Sequence, residues 1–184
     1  MNVIQNPIRG KGLKNFHTIC PGNVIDDHSG VIKLLNYCPI AKKTPLDAKP
    51  KLTEALKLKS LAFKDERGRM KLGSFKALGA AYVIAKAAYK KIGNNIKIPG
   101  KASNALNGET FVTASAGNHG LSVAAGAKIF GADAVIYLSE SVPNEFSKKL
   151  KSYGAKVVIE GHDYEASMEA ADRDAKLNNW TLLS

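Results

Sequence analysis

A chain of 184 residues has room for one domain, or for one domain and part of a second. Its 45% hydrophobic and 23% charged residues exclude a disordered tail, and no apolar run approaches the roughly 18 residues that cross a bilayer. The formal net charge of +11 favours anionic ligands, but the lysines (Lys42, Lys43, Lys49, Lys51) are scattered without interleaved aromatics, which argues against a nucleic-acid groove. Arg9, Lys11 and Lys14 are followed by no apolar core, so no secretory signal is read and the cytosol is the expected compartment. Cys20 and Cys38 lack CxxC spacing and a nearby histidine cluster, so free thiols and no metal site are expected.

Residues 1–43 show weak periodicity, with turn signals at Asn6-Pro7, Pro21-Gly22 and Ser29-Gly30. Val31–Leu35 reads equally as a short helix or a strand. Leu52–Leu58 has helical spacing, Ser60–Phe63 reads as a short strand, and Lys64–Arg69 reads as a charged turn. Ser74 is placed to cap a helix whose apolar face is Phe75, Leu78, Tyr82, Ala85 and Tyr89, and residues 91–108 read as a loop. From Glu109 the pattern alternates regularly. Strands are expected at Thr110–Thr113, Ala134–Leu138, Lys156–Ile159 and from Trp180. Helices are expected at Asn118–Phe130, from Pro143 to near Gly154, and at Tyr164–Leu177.

This alternation implies an α/β fold, a parallel sheet with flanking helices in three αβα layers. Crossovers should be right-handed, and a ligand should lie beyond the carboxyl ends of the strands. The sequence stops at Ser184 just after a strand begins, which suggests an N-terminal fragment of a longer protein.

Two stretches carry candidate chemistry. Lys76 falls in the first turn of the helix capped by Ser74, where the positive end of the dipole disfavours the ammonium. A neutral lysine is a nucleophile able to form a Schiff base with an aldehyde. Taken alone, Lys76 is one of 27 Lys and Arg and carries little signal. The second stretch, Thr113 to Gly120, lies where a strand passes into a helix. Its small residues let backbone approach a ligand, free amides at the helix start hold an anion, and Ser115 and Asn118 can bond a carboxylate or a ring oxygen. A tight turn with a serine cap accounts for the same residues, and His119 alone reads as a structural histidine.

Together the two stretches are more specific. Gly73-Ser74-Phe75-Lys76, followed about forty positions later by Ser115-Ala116-Gly117-Asn118-His119-Gly120, resembles the fold-type II pyridoxal-phosphate enzymes of the tryptophan synthase β-chain superfamily. Thr44-Pro45-Leu46 and Lys64-Asp65-Glu66 sit where that group has corresponding segments. The run Gly73–Ala80 and Ser152-Tyr153-Gly154-Ala155 with Asp163-Tyr164 make the chain most similar to the diaminopropionate ammonia-lyases, from about residue 38 onward.

The resemblance implies pyridoxal 5'-phosphate as cofactor and Lys76 as the lysine in Schiff base with it and the base that removes the α-proton. It places Asn118 on the ring oxygen, Phe75 beside the ring, and Ser115, Gly117 and His119 around the substrate carboxylate. The implied reaction is α,β-elimination of a small amino acid, with 2,3-diaminopropionate giving pyruvate and ammonia, in a cytoplasmic homodimer that binds neither membrane nor nucleic acid. It also implies that residues 1–75 are the N-terminal part of a larger cofactor domain and 76–184 a smaller βα domain. A threonine or serine dehydratase is the alternative, because Ser-Ala-Gly-Asn-His is more dehydratase-like; outside enzymes, the alternative is an inactive truncated product. Two departures stand out. Ala116 occupies the position where the well-known diaminopropionate ammonia-lyases carry an aspartate that serves the D-isomer. The family's glycine-rich phosphate cradle and the partner of the pyridine nitrogen lie further along than Ser184.

Overall fold

A computed structural model describes residues 27–97 and 100–183; Asn6-Pro7, Pro21-Gly22 and Cys20 fall outside them. Val31–Leu35, open between helix and strand from sequence, lies in helix α1 (Ser29–Leu35), whose first amide donates to Asp27 Oδ1 at 2.9 Å. Strand β1 (Leu46–Ala48), helix α2 (Pro50–Ala55) and strand β2 (Ala62–Lys64) follow. β1 and β2 pair antiparallel, Leu46 opposite Lys64, and both are exposed along their whole length.

The turn after β2 is held by its own charges. Arg69 lays its guanidinium on Glu66, Nε to Oε2 at 2.6 Å and Nη2 to Oε1 at 2.8 Å. Nη2 also donates to Thr44 Oγ1 at 2.7 Å and Nη1 to the Lys42 carbonyl at 3.0 Å, while the Thr44 hydroxyl donates to Glu66 Oε1 at 2.6 Å. The Arg69 fork and, next, the Thr44 hydroxyl hold the Glu66 carboxyl down at about 2. Beyond this network the backbone is left-handed at Met70 (φ 46°), Lys71 (φ 60°) and Gly73 (φ 72°). For the two residues with side chains that conformation costs about 1 kcal/mol each.

The helix expected from Ser74 does not run through. Phe75–Leu78 form a single 3-10 turn, the backbone breaks at Gly79 (φ −83°, ψ −81°), and helix α3 begins at Ala80 and ends at Ile92. Its buried face is also different from the expected one. Ala80, Ile84 and Ala88 are buried, while Phe75 is 62% exposed and Tyr82, Ala85 and Tyr89 are half-buried. Ala80 and Ala88 flank Ile84 on this face, and Gly126 of the next helix makes room for it: a Cβ there would stand 3.0 Å from Ile84 Cδ1 and 3.4 Å from Ala81 Cα. The expected loop at 91–108 contains two 3-10 turns, Gly93–Lys97 and Ala102–Asn104.

The remaining elements follow the expected alternation: β3 (Thr110–Ala114), α4 (Asn118–Phe130), β4 (Asp133–Leu138), α5 (Asn144–Ser152), β5 (Lys156–Ile159), α6 (Tyr164–Asn178) and β6 (Thr181–Leu182). All four strands are parallel, in the order β5-β4-β3-β6. Side chains alternate across the sheet. Phe111, Ala134, Ile136 and Leu138 pack with Leu121, Ala127 and Leu150 of α4 and α5, whereas Val112, Val135 and Tyr137 pack with Ala170, Ala171 and Ala175 of α6. Helices thus cover both faces, giving the three αβα layers. The chain steps from β3 outward to β4 and β5, then returns across the sheet to β6 on the other side of β3. That reversal leaves a crevice at the carboxyl ends of β3 and β6, the place where such sheets bind ligands.

Two glycines separate conformation from contact. Gly131 (φ 76°) closes α4, and a Cβ there would stand 2.3 Å from Asn107 Oδ1 and 2.4 Å from the Ser103 carbonyl; Gly108 (φ 81°) has nothing within 4 Å. Urea unfolding should find Gly108→Ala destabilised by about 1 kcal/mol and Gly131→Ala by about 3 kcal/mol, because only the second adds overpacking. Glu66 gives a pH signature. A carboxyl held below its ordinary value of 4.5 contributes stability above that value, which is lost as pH falls toward about 2. In Glu66→Gln the melting temperature should therefore fall less steeply than in the unmodified protein across that window, with the variant less stable at neutral pH.

Candidate active site

The crevice is built from the turn between β3 and α4. Thr113 and Ala114 end the strand inside the sheet, and Ser115 folds back to meet the helix. Its Oγ accepts the amides of Gly117 at 3.3 Å and Gly120 at 3.1 Å, acting as the cap of α4. The fold-back is tight: a Cβ on Gly120 would lie 2.7 Å from the Ser115 carbonyl oxygen. Gly117, by contrast, is extended (φ −125°, ψ −155°) and looks onto open space. Among the described residues the amides of Ala116, Asn118 and His119 donate to no protein acceptor. Unpaired amides at the positive end of a thirteen-residue helix favour an anion. His119 Nε2 lies 3.3 Å from the Leu183 carbonyl, and the Leu183 amide donates to the Val112 carbonyl at 2.8 Å. The histidine thereby ties the loop to the chain leaving β6.

Lys76 comes from the other wall. Ser74 is buried, its Oγ accepts the Lys76 amide at 3.2 Å, and its carbonyl accepts the Ala77 amide at 3.2 Å. The serine cap is as read from sequence, but it caps a four-residue 3-10 turn and not a long helix. The dipole invoked for Lys76 therefore lacks the aligned peptides that would make it. The ammonium is exposed and sits 5.6 Å from the centroid of the Phe75 ring.

The two walls enclose one cavity of about 790 Å³, within the roughly 300–1,000 Å³ typical of small-molecule sites. Of the residues singled out from sequence, Phe75, Lys76, Ser115 and His119 line it; Gly117 and Asn118 do not. Ala116 lines it too. Tyr82, Tyr164, Met168, Leu182 and Leu183 complete the wall and were not anticipated. Tyr164 and Met168 belong to the start of α6, and the strand order alone brings that end over the crevice. Among the described residues no aspartate, glutamate or arginine lines it, and Lys76 is its lining lysine.

Comparison with known proteins agrees with this geometry. Residues 38–184 match the family model of the pyridoxal-phosphate dependent enzymes. The diaminopropionate ammonia-lyase of Salmonella typhimurium is 32% identical over 158 residues, covering 82% of this chain and 38% of that protein. The catabolic L-threonine dehydratase of Staphylococcus aureus is 29% identical over 171 residues, covering 93% of this chain and 43% of that protein. A crystal structure of the Escherichia coli diaminopropionate ammonia-lyase, in complex with an aminoacrylate-PLP azomethine reaction intermediate, superposes with a TM-score of 0.69 at 28% identity over 84% of this chain and 40% of that one. The chain thus spans about two fifths of the length of the relatives it matches. A lysine and an amide-rich helix start facing one crevice, on a doubly wound parallel sheet matched by the family model over residues 38–184, make this chain a member of the pyridoxal-phosphate dependent enzyme family.

Proposed function

We propose that the chain carries the cofactor lysine and the substrate-gripping loop of an ammonia-lyase that eliminates ammonia from 2,3-diaminopropionate. The observation that carries this reading is the convergence of Lys76 and the Ser115–His119 loop on one cavity. The cavity suits pyridoxal phosphate on its own chemistry: among the described residues it offers one amine, an exposed aromatic ring, amides without a protein acceptor and no carboxylate to repel an anion. When bound, pyridoxal phosphate supplies the electron sink that makes the substrate's α-proton removable.

In this reading Lys76 Nζ would hold the cofactor by its aldehyde and, once the substrate's own amino group had displaced it there, would be the free amine that takes the proton from the substrate's Cα. Phe75 flanks the ring, and Asn118, at the first position of α4 and outside the cavity lining, would have to turn its side chain inward to bond the ring oxygen. The amides of Ala116 and His119, residues that do line the cavity, hold the substrate carboxylate, joined by the Ser115 hydroxyl, which accepts two amides and keeps its own hydrogen to donate. His119 fixes the loop through the Leu183 carbonyl. Loss of the β-amino group as one ammonia, followed by hydrolysis in which water replaces the α-amino nitrogen as a second ammonia, would give pyruvate. Residues 1–75 as part of a larger cofactor domain, residues 76–184 as a smaller βα domain, a homodimeric assembly and a cytosolic setting belong to the same reading. A threonine or serine dehydratase is the second reading, favoured by the similarity to the threonine dehydratase over 93% of this chain.

Incubation with pyridoxal phosphate, borohydride reduction and peptide mapping should place a pyridoxyl group on Lys76 ahead of the many surface lysines, and Lys76→Ala should lose it. Label spread evenly over the lysines would sink the assignment. Ammonia release by the whole protein from L-diaminopropionate, L-serine and L-threonine separates the two enzyme readings. Ala116 puts a methyl group, unable to take a proton, on the cavity wall. D-diaminopropionate should therefore react about a hundredfold more slowly than the L-isomer, and Ala116→Asp should raise the D rate selectively. Equal rates on both enantiomers would contradict this.

A further inference from the structure

Lys76 is not on a long helix or a strand, so something else must fix where its amine enters the cavity. Upstream of it the chain passes through Met70, Lys71 and Gly73, all in the left-handed region, and a non-glycine residue leaves that region unless its surroundings hold it there. Arg69 holds this segment at both of its own ends. Its side chain is locked to Glu66, Thr44 and the Lys42 carbonyl, and its carbonyl accepts the amides of Leu72 at 2.8 Å and Gly73 at 3.2 Å. The next residue, Ser74, is buried and takes the Lys76 amide.

We propose that Arg69, held by Glu66 and Thr44, is a positioning residue for Lys76: it keeps Met70, Lys71 and Gly73 left-handed and so sets the 3-10 turn from which the amine reaches the cavity. This rests on the reading of Lys76 as the cofactor lysine. The network has the character the role requires. The Arg69 and Glu66 side chains are 11% and 18% exposed and meet through two parallel bonds, a geometry that planar guanidinium supplies and an ammonium does not. The neighbouring Arg67 also pairs with an acid, Asp65 at 2.7 Å, but it is 90% exposed and bonds nothing on the path to Lys76. It is the built-in control.

The test compares Arg69→Lys, Glu66→Gln and Arg67→Ala in the otherwise unchanged protein. Hydrogen exchange without cofactor should show the amides of residues 72–79 opening on the order of tenfold faster in the first two variants and unchanged in the third, with the exchange of β3 and β4 unaltered. The share of borohydride-fixed pyridoxyl label found on Lys76 should fall on the order of tenfold in the same two variants and hold in Arg67→Ala. Unchanged exchange over residues 72–79, or an equal effect of Arg67→Ala, overturns the proposal. Faster exchange with the Lys76 label undiminished also overturns it, since the network would then be structural alone. If the unmodified protein takes no label at Lys76, the functional reading fails and the positioning role falls with it. In that case the exchange data still report whether the network orders the turn. A variant that loses β3 and β4 protection is replaced by Thr44→Val, which keeps the ion pair and removes one of its braces.

Discussion

The turn from β3 into α4 closes only because position 120 has no side chain. With a Cβ there, the Ser115 carbonyl would be met at 2.7 Å, and the first turn of the helix would have to move off the strand end. Because it stays, the Ser115 hydroxyl reaches the amides of Gly117 and Gly120, and among the described residues the amides of Ala116, Asn118 and His119 find no acceptor. Position 120 also packs on Ile136 and Leu150, so the same missing atom joins the loop to the core. The anion-seeking character of the site is thus a consequence of how tightly the helix is seated.

A second wall depends on a different kind of order. Lys76 stands on a short turn whose upstream backbone is held in an unfavourable conformation by hydrogen-bonded charges, not by a helix or sheet ladder. One side of the cavity is therefore as rigid as the sheet, and the other is as rigid as one ion-pair network. The cavity joins them next to β3, where the strand order reverses, which makes the strand order itself a determinant of the site.

Much of this was legible in the sequence wherever the signal is local. The helix Asn118–Phe130 has its bounds written in the Gly117 entry and the left-handed Gly131 exit, and the parallel strands are short apolar runs between glycines. The α/β class followed from their alternation. Two failures have physical causes. The helix behind Ser74 was read as continuous because Phe75, Leu78 and Tyr82 keep helical spacing, yet the backbone at Gly79 breaks it, and packing on α4 buries Ala80, Ile84 and Ala88 in place of the tyrosines. Tyr164, Met168 and Leu183 were missed because they reach the cavity only through a crossover that spans the sheet, which no local window records. The Arg69 network was visible only as a charged turn, since Thr44 comes to it from the segment ahead of β1.

In the proposed function one ligand bridges these two walls. Titration of the uniformly nitrogen-15-labelled protein with pyridoxal phosphate, followed in two-dimensional amide spectra, reads both walls at once. Shifts concentrated on Ser74–Gly79, Ser115–Gly120 and Leu182–Leu183, saturating together with one affinity, are the predicted result. Shifts scattered over the surface lysines, or confined to one wall while the other stays silent, would contradict it.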